Sequence, residues 1–342
     1  MKKILLVGGG SGGHILPLKS LCDELLKQNN EVHLLVSESL LDRQIVEENF
    51  KKSPTQKNKI YFHYLKTGKF RRYFSFKNIT DFFKIIKAVF LARKMLKKIK
   101  PEVIFFKGGF VCFPILIATK YLGRFKGKIY LHNSDFIISR LSTLISKHAE
   151  KVFSNFGNPS FPLFFSETRR NDHSEKKINF PQILIFGGSQ GAQFINELIF
   201  KLNVPLLKKY KITLVTGIDK KITLIHPNFE QFQLLPNTKL LQKIYESDLV
   251  ITRGGASIFQ VLEAQKPSII IPLPSAAQNH QMKNAQYFET KNLVKILEQN
   301  KFTKKHLLSL IETTIQDLKL KKSLAKSNIQ NKTKEIAKRI LK

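Results

Sequence analysis

Short runs of consecutive apolar residues recur along the chain, and each gives way to a polar turn and then to helical spacing. Ile4–Val7 reads as the first strand, Leu16–Gln28 as a helix and Glu31–Val36 as the second strand. A basic helix over Asp81–Ile99, a strand Val103–Phe106, a helix after Pro114 and a strand Lys128–Leu131 continue the series. Pro159, Pro162, a polar, charged stretch and Pro181 then interrupt it, which predicts an interdomain linker over 158–181. The rhythm restarts with strand Gln182–Phe186, a helix from Ala192, strands Ile212–Val215 and Leu249–Thr252, a helix from Ser257 and strand Ser268–Pro272. Such alternation predicts an α/β protein built from two Rossmann-like, doubly wound domains facing across a cleft. The expected domains are 1–157 and 182–325, with a Lys-rich C-terminal helix over 326–342 packing back toward the N-terminal domain.

Two glycine-rich turns follow buried-strand patterns and open helices. They are Gly8-Gly9-Gly10-Ser11-Gly12-Gly13-His14 and Gly187-Gly188-Ser189-Gln190-Gly191-Ala192. A strand–helix junction of this kind aims backbone N–H groups and the positive end of a helix dipole at an anion, usually phosphate. The first turn also fits G-x-G-x-x-G, with Glu38 placed to meet a ribose, but the matching second turn points away from a dinucleotide. The glycines equally suit a tight turn that binds nothing. His14, beside these glycines at a helix start, would donate to a phosphate as imidazolium or accept a hydroxyl proton as a neutral base; local capping is the plainer alternative. Asp135 is a second candidate base, and a helix cap is its plainer role. No Walker-type phosphate loop and no Asp-x-Asp pair occurs, so neither an NTPase nor a metal–diphosphate site is expected.

Charge changes the picture more than hydrophobic content does. Lys and Arg number 58 against 25 Asp and Glu, a net +33 in 342 residues, which favours anionic partners. A compositional bias toward Lys and Phe accounts for part of this excess. Cys22 and Cys112 lie in apolar contexts without metal-ligand spacing, as buried thiols in a reducing cytoplasm do. The N-terminal apolar run is too short for a signal-peptide core, and the longest apolar stretch, Val103–Ala118, is broken by Lys107, Gly108, Gly109 and Pro114. The segment Phe70-Arg71-Arg72-Tyr73-Phe74 mixes rings with cations and reads as a contact with an anionic membrane surface. In the helix after it, Phe82, Ile85, Ile86, Val89, Leu96 and Ile99 are expected to face the sheet.

Several motifs, in order along nearly the whole chain, resemble the MurG family of N-acetylglucosaminyltransferases. They are the first glycine turn with His14-Ile15-Leu16-Pro17, Lys107-Gly108-Gly109-Phe110-Val111, His132-Asn133-Ser134-Asp135, Gly157-Asn158-Pro159, the second glycine turn, and His280-Gln281 followed by Asn284-Ala285. The resemblance implies the two-domain GT-B fold. It also implies transfer of N-acetylglucosamine from UDP-GlcNAc to lipid I, giving lipid II in peptidoglycan synthesis, by a peripheral enzyme on the cytoplasmic face of the cell membrane. Gly188, Ser189, Gln190 and Gly191 would hold the donor diphosphate; Arg253, Gly255 and Ala256 would lie near the nucleotide; Gln281 would meet the sugar. Ser11, Gly12, Gly13 and Asp135 join the expected substrate contacts, with His14 and Asp135 at the reacting centre. The family's ribose-binding glutamate falls on Gln260, with Glu263 one turn on; Phe161 and Asn133 replace a usual Arg and Glu. No metal, cofactor or nucleic acid is implied, UDP-GlcNAc being a substrate. The alternatives are another GT-B enzyme using UDP-GlcNAc, either a 2-epimerase or a transferase with a different lipid acceptor, and, as a lesser reading, a nucleic-acid binder.

Overall fold

Strands β1 (Lys3–Gly8), β2 (Glu31–Ser37), β3 (Ile60–Leu65), β4 (Val103–Gly108), β5 (Lys128–Asn133) and β6 (Lys151–Ser154) pair in parallel in the order β3-β2-β1-β4-β5-β6. The connections are α1 (Gly12–Lys27), α2 (Leu40–Val46), α3 (Lys77–Ile99), α4 (Cys112–Lys120) and α5 (Arg140–Ser146). The computed structural model describes residues 1–51, 60–68, 77–123, 125–156, 180–188, 192–218 and 220–342. They divide into two units. The first holds Met1–Ser134, the described part of Ile138–Ser166, and Lys332–Lys342; the second holds Asp135–Ile137 and the described part of Glu167–Asn331.

The first sheet is buried on both faces, which is why its strands read as unbroken apolar runs. Along β1, Ile4 and Leu6 enter one core with Leu18 and Leu21 of α1. Leu5 and Val7 enter the other with Ile115 and Leu116 of α4. The helix α13 (Thr333–Leu341) closes the α1 side, with Ile336, Ala337 and Ile340 fully buried there.

The second unit repeats the plan. Its strands are β7 (Gln182–Phe186), β8 (Lys211–Val215), β9 (Phe229–Phe232), β10 (Leu249–Thr252), β11 (Ser268–Ile270) and β12 (Lys295–Ile296), ordered β12-β11-β10-β7-β8-β9 and all parallel. Helices α6 (Gln193–Lys201), α7 (Asn203–Leu207), α8 (Asn237–Glu246), α9 (Ser257–Glu263), α10 (His280–Glu289), α11 (Lys304–Gln316) and α12 (Leu318–Lys326) complete it. Ile183 and Ile185 pack toward α6 and α11, while Leu184 and Phe186 pack toward α8 and α9. Both sheets are thus doubly wound, with a topological switch point between β1 and β4 and another between β7 and β10.

Several expectations need correction. Helix α1 begins at Gly12 rather than Leu16, because the glycines of its first turn carry no hydrophobic periodicity. Helix α4 begins at Cys112, before Pro114, which sits in the first turn where its missing N–H breaks no bond. The C-terminal helix is shorter than 326–342: α12 ends at Lys326 and α13 starts at Thr333. Strands β3, β6, β9 and β12 were not foreseen. The expected linker, apart from Phe180 and Pro181, and the segment Phe70–Phe74 lie outside the described residues.

Helix α3 departs most. The small residues Ala88 and Ala92, with Ile85 and Val89, face the sheet. Phe82 and Ile86, expected inside, point out. They join Ile79, Phe83 and Phe90 in one exposed stripe, and Phe83 and Phe90 are 65% and 59% exposed. No helix among the described residues is long and apolar enough to cross a membrane.

On β2 and β3, His33 Nδ1 lies 2.9 Å from His63 Nε2, and His33 Nε2 lies 2.8 Å from Glu31 Oε1. Burial, then the charges of His33 and Lys98, lowers the His63 imidazole to about 4 from an ordinary value of 6.5. The unfolded chain therefore takes up this proton first as pH falls, and the native state loses stability. Unfolding free energy should rise with pH between about 4 and 6.5. Urea melts of the His63→Asn variant should show a shallower rise over that window.

Candidate functional site

Both glycine turns leave the carboxyl ends of the strands that flank the switch points, where doubly wound sheets bind ligands. In the first unit the Gly9 amide donates to the Gly108 carbonyl at 3.1 Å, tying the β1 turn to the β4 turn. Gly109 has φ +94, and a Cβ there would stand 2.0 Å from the Gly9 carbonyl oxygen, so only glycine fits. Gly10, at φ +81, needs glycine for its backbone conformation alone.

The sequence suggests that this turn offers its amides to an anion, but a protein carboxylate already occupies one of them. Asp42 of α2 is fully buried and accepts the Gly10 N–H at 2.9 and 3.1 Å. It also accepts the Ser37 N–H at 3.1 Å and the Ser37 hydroxyl at 2.5 Å. His14 follows in the first turn of α1. Its Nδ1 lies 3.0 Å from the Gly9 carbonyl oxygen and 3.3 Å from Ser11 Oγ. A carbonyl only accepts, so Nδ1 carries the proton and Nε2 is the basic nitrogen. The ring packs under the β4 turn, where a Cβ on Gly108 would meet its Nε2 at 3.0 Å. Ser11 is the N-cap residue of α1, and Gly12 and Gly13 are its first two helical residues.

A cavity of about 440 Å³ opens beside the turn, lined by Gly10, Ser37, Ser39, Arg43, Lys66 and Phe110 among others. Arg43 stacks over the Tyr64 ring at 4.3 Å and pairs with Glu38 at 3.1 Å, which fixes a guanidinium in that wall. At the ends of β4 and β5, the buried Lys107 ammonium donates to Ser134 Oγ. His132 Nε2 donates to Asn155 Oδ1 at 2.9 Å. Burial first and the Lys107 charge second push the His132 imidazole well below its ordinary range, so it is neutral. Asn133, at the end of β5, is buried.

In the second unit, Gly188 adopts φ +84 at the start of its turn. Ser189, Gln190 and Gly191 lie outside the described residues, as does Phe161. Ala192 caps α6 with no side-chain bond. At β10, Gly254 lies so close to α10 that a Cβ would meet the Gln281 carbonyl at 2.2 Å, whereas Gly255 faces open space. Ala256 is the N-cap residue of α9.

Arg253, at the end of β10, is held by the loop that follows β11. Its guanidinium is buried and donates to the Ile271 carbonyl at 3.0 Å, the Pro272 carbonyl at 3.4 Å and Gln299 Oε1 at 3.0 Å. It braces the loop after β11, because a buried cation must find acceptors nearby. Gln281 supports the same loop, its Oε1 accepting from the Leu273 amide at 2.9 Å. Gln260 is buried and donates to Asn237 Oδ1 at 3.1 Å, whereas Glu263 accepts the Asn331 amide at 2.7 Å. The two residues therefore serve different neighbours. Asp135 accepts from Asn284 Nδ2 at 2.9 Å, and Asn284 Oδ1 accepts the Phe136 amide at 2.8 Å. Asn284 is itself buried and also donates to the Gly254 carbonyl at 3.0 Å. Asp42, Arg43 and Lys66 were missed in the sequence, where nothing distinguishes them from other charged residues near strand ends. Among the described residues no group of three or more His, Cys, Asp or Glu is placed to hold a metal.

Glycine substitutions separate close approach from open space. Gly109→Ala should cost roughly 2–4 kcal/mol in denaturant unfolding, through collision and strain. Gly255→Ala should stay within about 0.5 kcal/mol of the parent protein in the same measurement.

Residues 4–154 match the glycosyltransferase family 28 N-terminal domain, and residues 182–340 match the glycosyltransferase family 28 C-terminal domain. A UDP-N-acetylglucosamine–N-acetylmuramyl-(pentapeptide) pyrophosphoryl-undecaprenol N-acetylglucosamine transferase of Lachnoclostridium phytofermentans is 31% identical over 97% of this chain and 96% of its own. The transferase of the same name from Clostridium tetani is 32% identical over 96% of this chain and 95% of its own. In fold, the chain is similar to a crystal structure of MurG from Acinetobacter baumannii, with a TM-score of 0.69 at 22% identity, covering 100% of this chain and 99% of that one. A putative UDP-N-acetylglucosamine 2-epimerase from Listeria monocytogenes shares the fold at a TM-score of 0.66 and 11% identity, over 99% and 94% of the two chains. With both domains matched and identity to these transferases sustained from end to end, the chain belongs to glycosyltransferase family 28, among the MurG N-acetylglucosaminyltransferases.

Proposed function

We propose that this chain transfers N-acetylglucosamine from UDP-GlcNAc to the muramoyl-pentapeptide of lipid I, with inversion, and so forms lipid II for peptidoglycan synthesis. The observation that carries the reading is identity above 30% along 97% of the chain to transferases named for this donor and acceptor. The glycine-rich sequence after β7, at a switch point of the second sheet, supports it, because a strand–helix junction of that composition suits a diphosphate.

His14 is the base. With Nδ1–H held by the Gly9 carbonyl, Nε2 takes the proton of the acceptor hydroxyl as that oxygen attacks the anomeric carbon. The bond to the UDP oxygen breaks on the opposite face. Charge developing on the departing diphosphate is met by Gly188 and the positive end of α6. Asp135 is the weaker candidate, since its carboxylate is engaged by the buried Asn284; it orients rather than abstracts. Gln260 takes the ribose role, because Glu263 is tied to the chain leading to α13. Gln281 keeps its amide nitrogen for the sugar while its oxygen holds Leu273. Arg253 acts through the loop that it braces. The cavity beside the first turn offers Lys66, with Arg43 held by Glu38 in the same wall, to the acceptor's diphosphate.

The enzyme works as a peripheral protein at the cytoplasmic face of the membrane. Two features support this: the exposed apolar stripe of α3 and a net charge of +33. Rings at the headgroup boundary and cations near anionic lipid act together.

Purified protein with UDP-GlcNAc and lipid I should yield lipid II; release of UDP without lipid II would exclude this acceptor. In that assay His14→Ala should lower kcat by about 10²–10⁴-fold with little change in the KM for UDP-GlcNAc. A Phe82→Ser, Phe90→Ser variant should lose binding to vesicles containing anionic lipid, measured by sedimentation, and keep its melting temperature.

A further inference from the structure

The group between Asp42 and His14 is a single peptide unit. The Gly9 carbonyl accepts from His14 Nδ1 at 3.0 Å, and the Gly10 N–H on the other side of that same amide donates to the Asp42 carboxylate at 2.9 and 3.1 Å. We propose that Asp42 is a positioning residue for the reaction, acting on His14 through the Gly9–Gly10 peptide group as a peptide-bridged carboxylate–imidazole pair. This rests on the reading of His14 as the base.

The physical argument has three parts. Asp42 is wholly buried, and its described hydrogen-bond donors are all neutral: the Gly10 amide, the Ser37 amide and the Ser37 hydroxyl. Of the cations in the adjoining cavity wall, Arg43 is directed to Glu38 and Tyr64, and Lys66 makes no hydrogen bond to Asp42 among the described contacts. The carboxylate charge is therefore felt along its hydrogen bonds. A carboxylate pulling on an amide N–H polarises that amide, and hydrogen bonds in such a chain strengthen one another. The Gly9 carbonyl becomes a stronger acceptor, which holds the Nδ1–H tautomer, aims Nε2 and stabilises the imidazolium formed when Nε2 takes a proton. In the serine-hydrolase triad a carboxylate does this by touching the imidazole directly. Here the glycine turn stands between them. This also accounts for a buried acid at a turn whose sequence suggests a site for anions. Gly9 is pressed against the same carboxylate, since a Cβ there would meet Asp42 Oδ2 at 2.8 Å.

Three measurements test the pair. Nitrogen-15 spectra of histidine-labelled protein should show neutral His14 protonated on Nδ1; a proton on Nε2 would overturn the proposal, and no variant is needed for this. Asp42→Asn keeps an acceptor for the amides and removes the charge. It should lower kcat by roughly 10–100-fold. It should also move the acid limb of the kcat profile about half a pH unit toward acid, because the imidazolium loses a stabilising charge. Ser37→Ala removes a hydrogen bond to Asp42 but keeps the carboxylate, and should leave that limb in place. If Asp42→Asn slows turnover with the acid limb unmoved, Asp42 only holds the turn and the proposal fails. Should His14→Ala turn over normally, the base assignment is wrong; the His14 titration followed by the same spectra in Asp42→Asn against the parent protein still decides the coupling.

Discussion

Where β1 and β4 end side by side, the chain leaves one strand for one face of the sheet and the other strand for the opposite face. Hydrogen bonding forces the two strands together, and burial of both faces forces their helices apart. The two turns therefore diverge, and backbone rather than side chain lines the gap. Glycine is required there because the turns still touch at one point, Gly9 against Gly108 and Gly109. In the second unit the turn after β10 presses on helix α10, where Gly254 lies against the carbonyl of Gln281. Each glycine motif is thus first a solution to strand packing. Its ability to face a ligand follows from where that solution must lie.

Electrostatics then separate the two turns. In the first, Asp42 places a buried negative charge behind the glycines, and the turn is organised around a histidine. In the second, Gly188 takes a positive φ, and α6 begins after Ala192 with no side-chain cap bond. Arg253 follows the same logic from the opposite sign. A cation at the end of β10 suggests a ligand contact, yet burial sends it to the nearest carbonyls, and it shapes the site from behind.

Helix α3 shows how packing chooses between two apolar stripes. Its sequence offers large side chains on one side and a mixture of small and β-branched ones on another. Ala88 and Ala92 let the helix lie close to its neighbours, and the larger rings go outward. Left in water, that stripe would be a liability.

The alternation of apolar runs with helical spacing determined the fold class, the division into two similar halves and the strand ends that carry chemistry, because these depend on local periodicity and on glycine alone. The same information placed His14, Asp135 and the glycine turns at those strand ends, and the family resemblance pointed to Gln260 and Gln281. It did not reveal the short edge strands β3, β6, β9 and β12, whose residues have partners on one side only and leave weak patterns. Nor did it give the partner of any polar group. That Asp42 lies behind Gly10, that Arg253 turns inward, that Glu263 holds Asn331 and that Phe82 faces out were decided by tertiary packing. Each depends on which groups distant in sequence are brought within hydrogen-bond reach when water is excluded, and no local pattern records that.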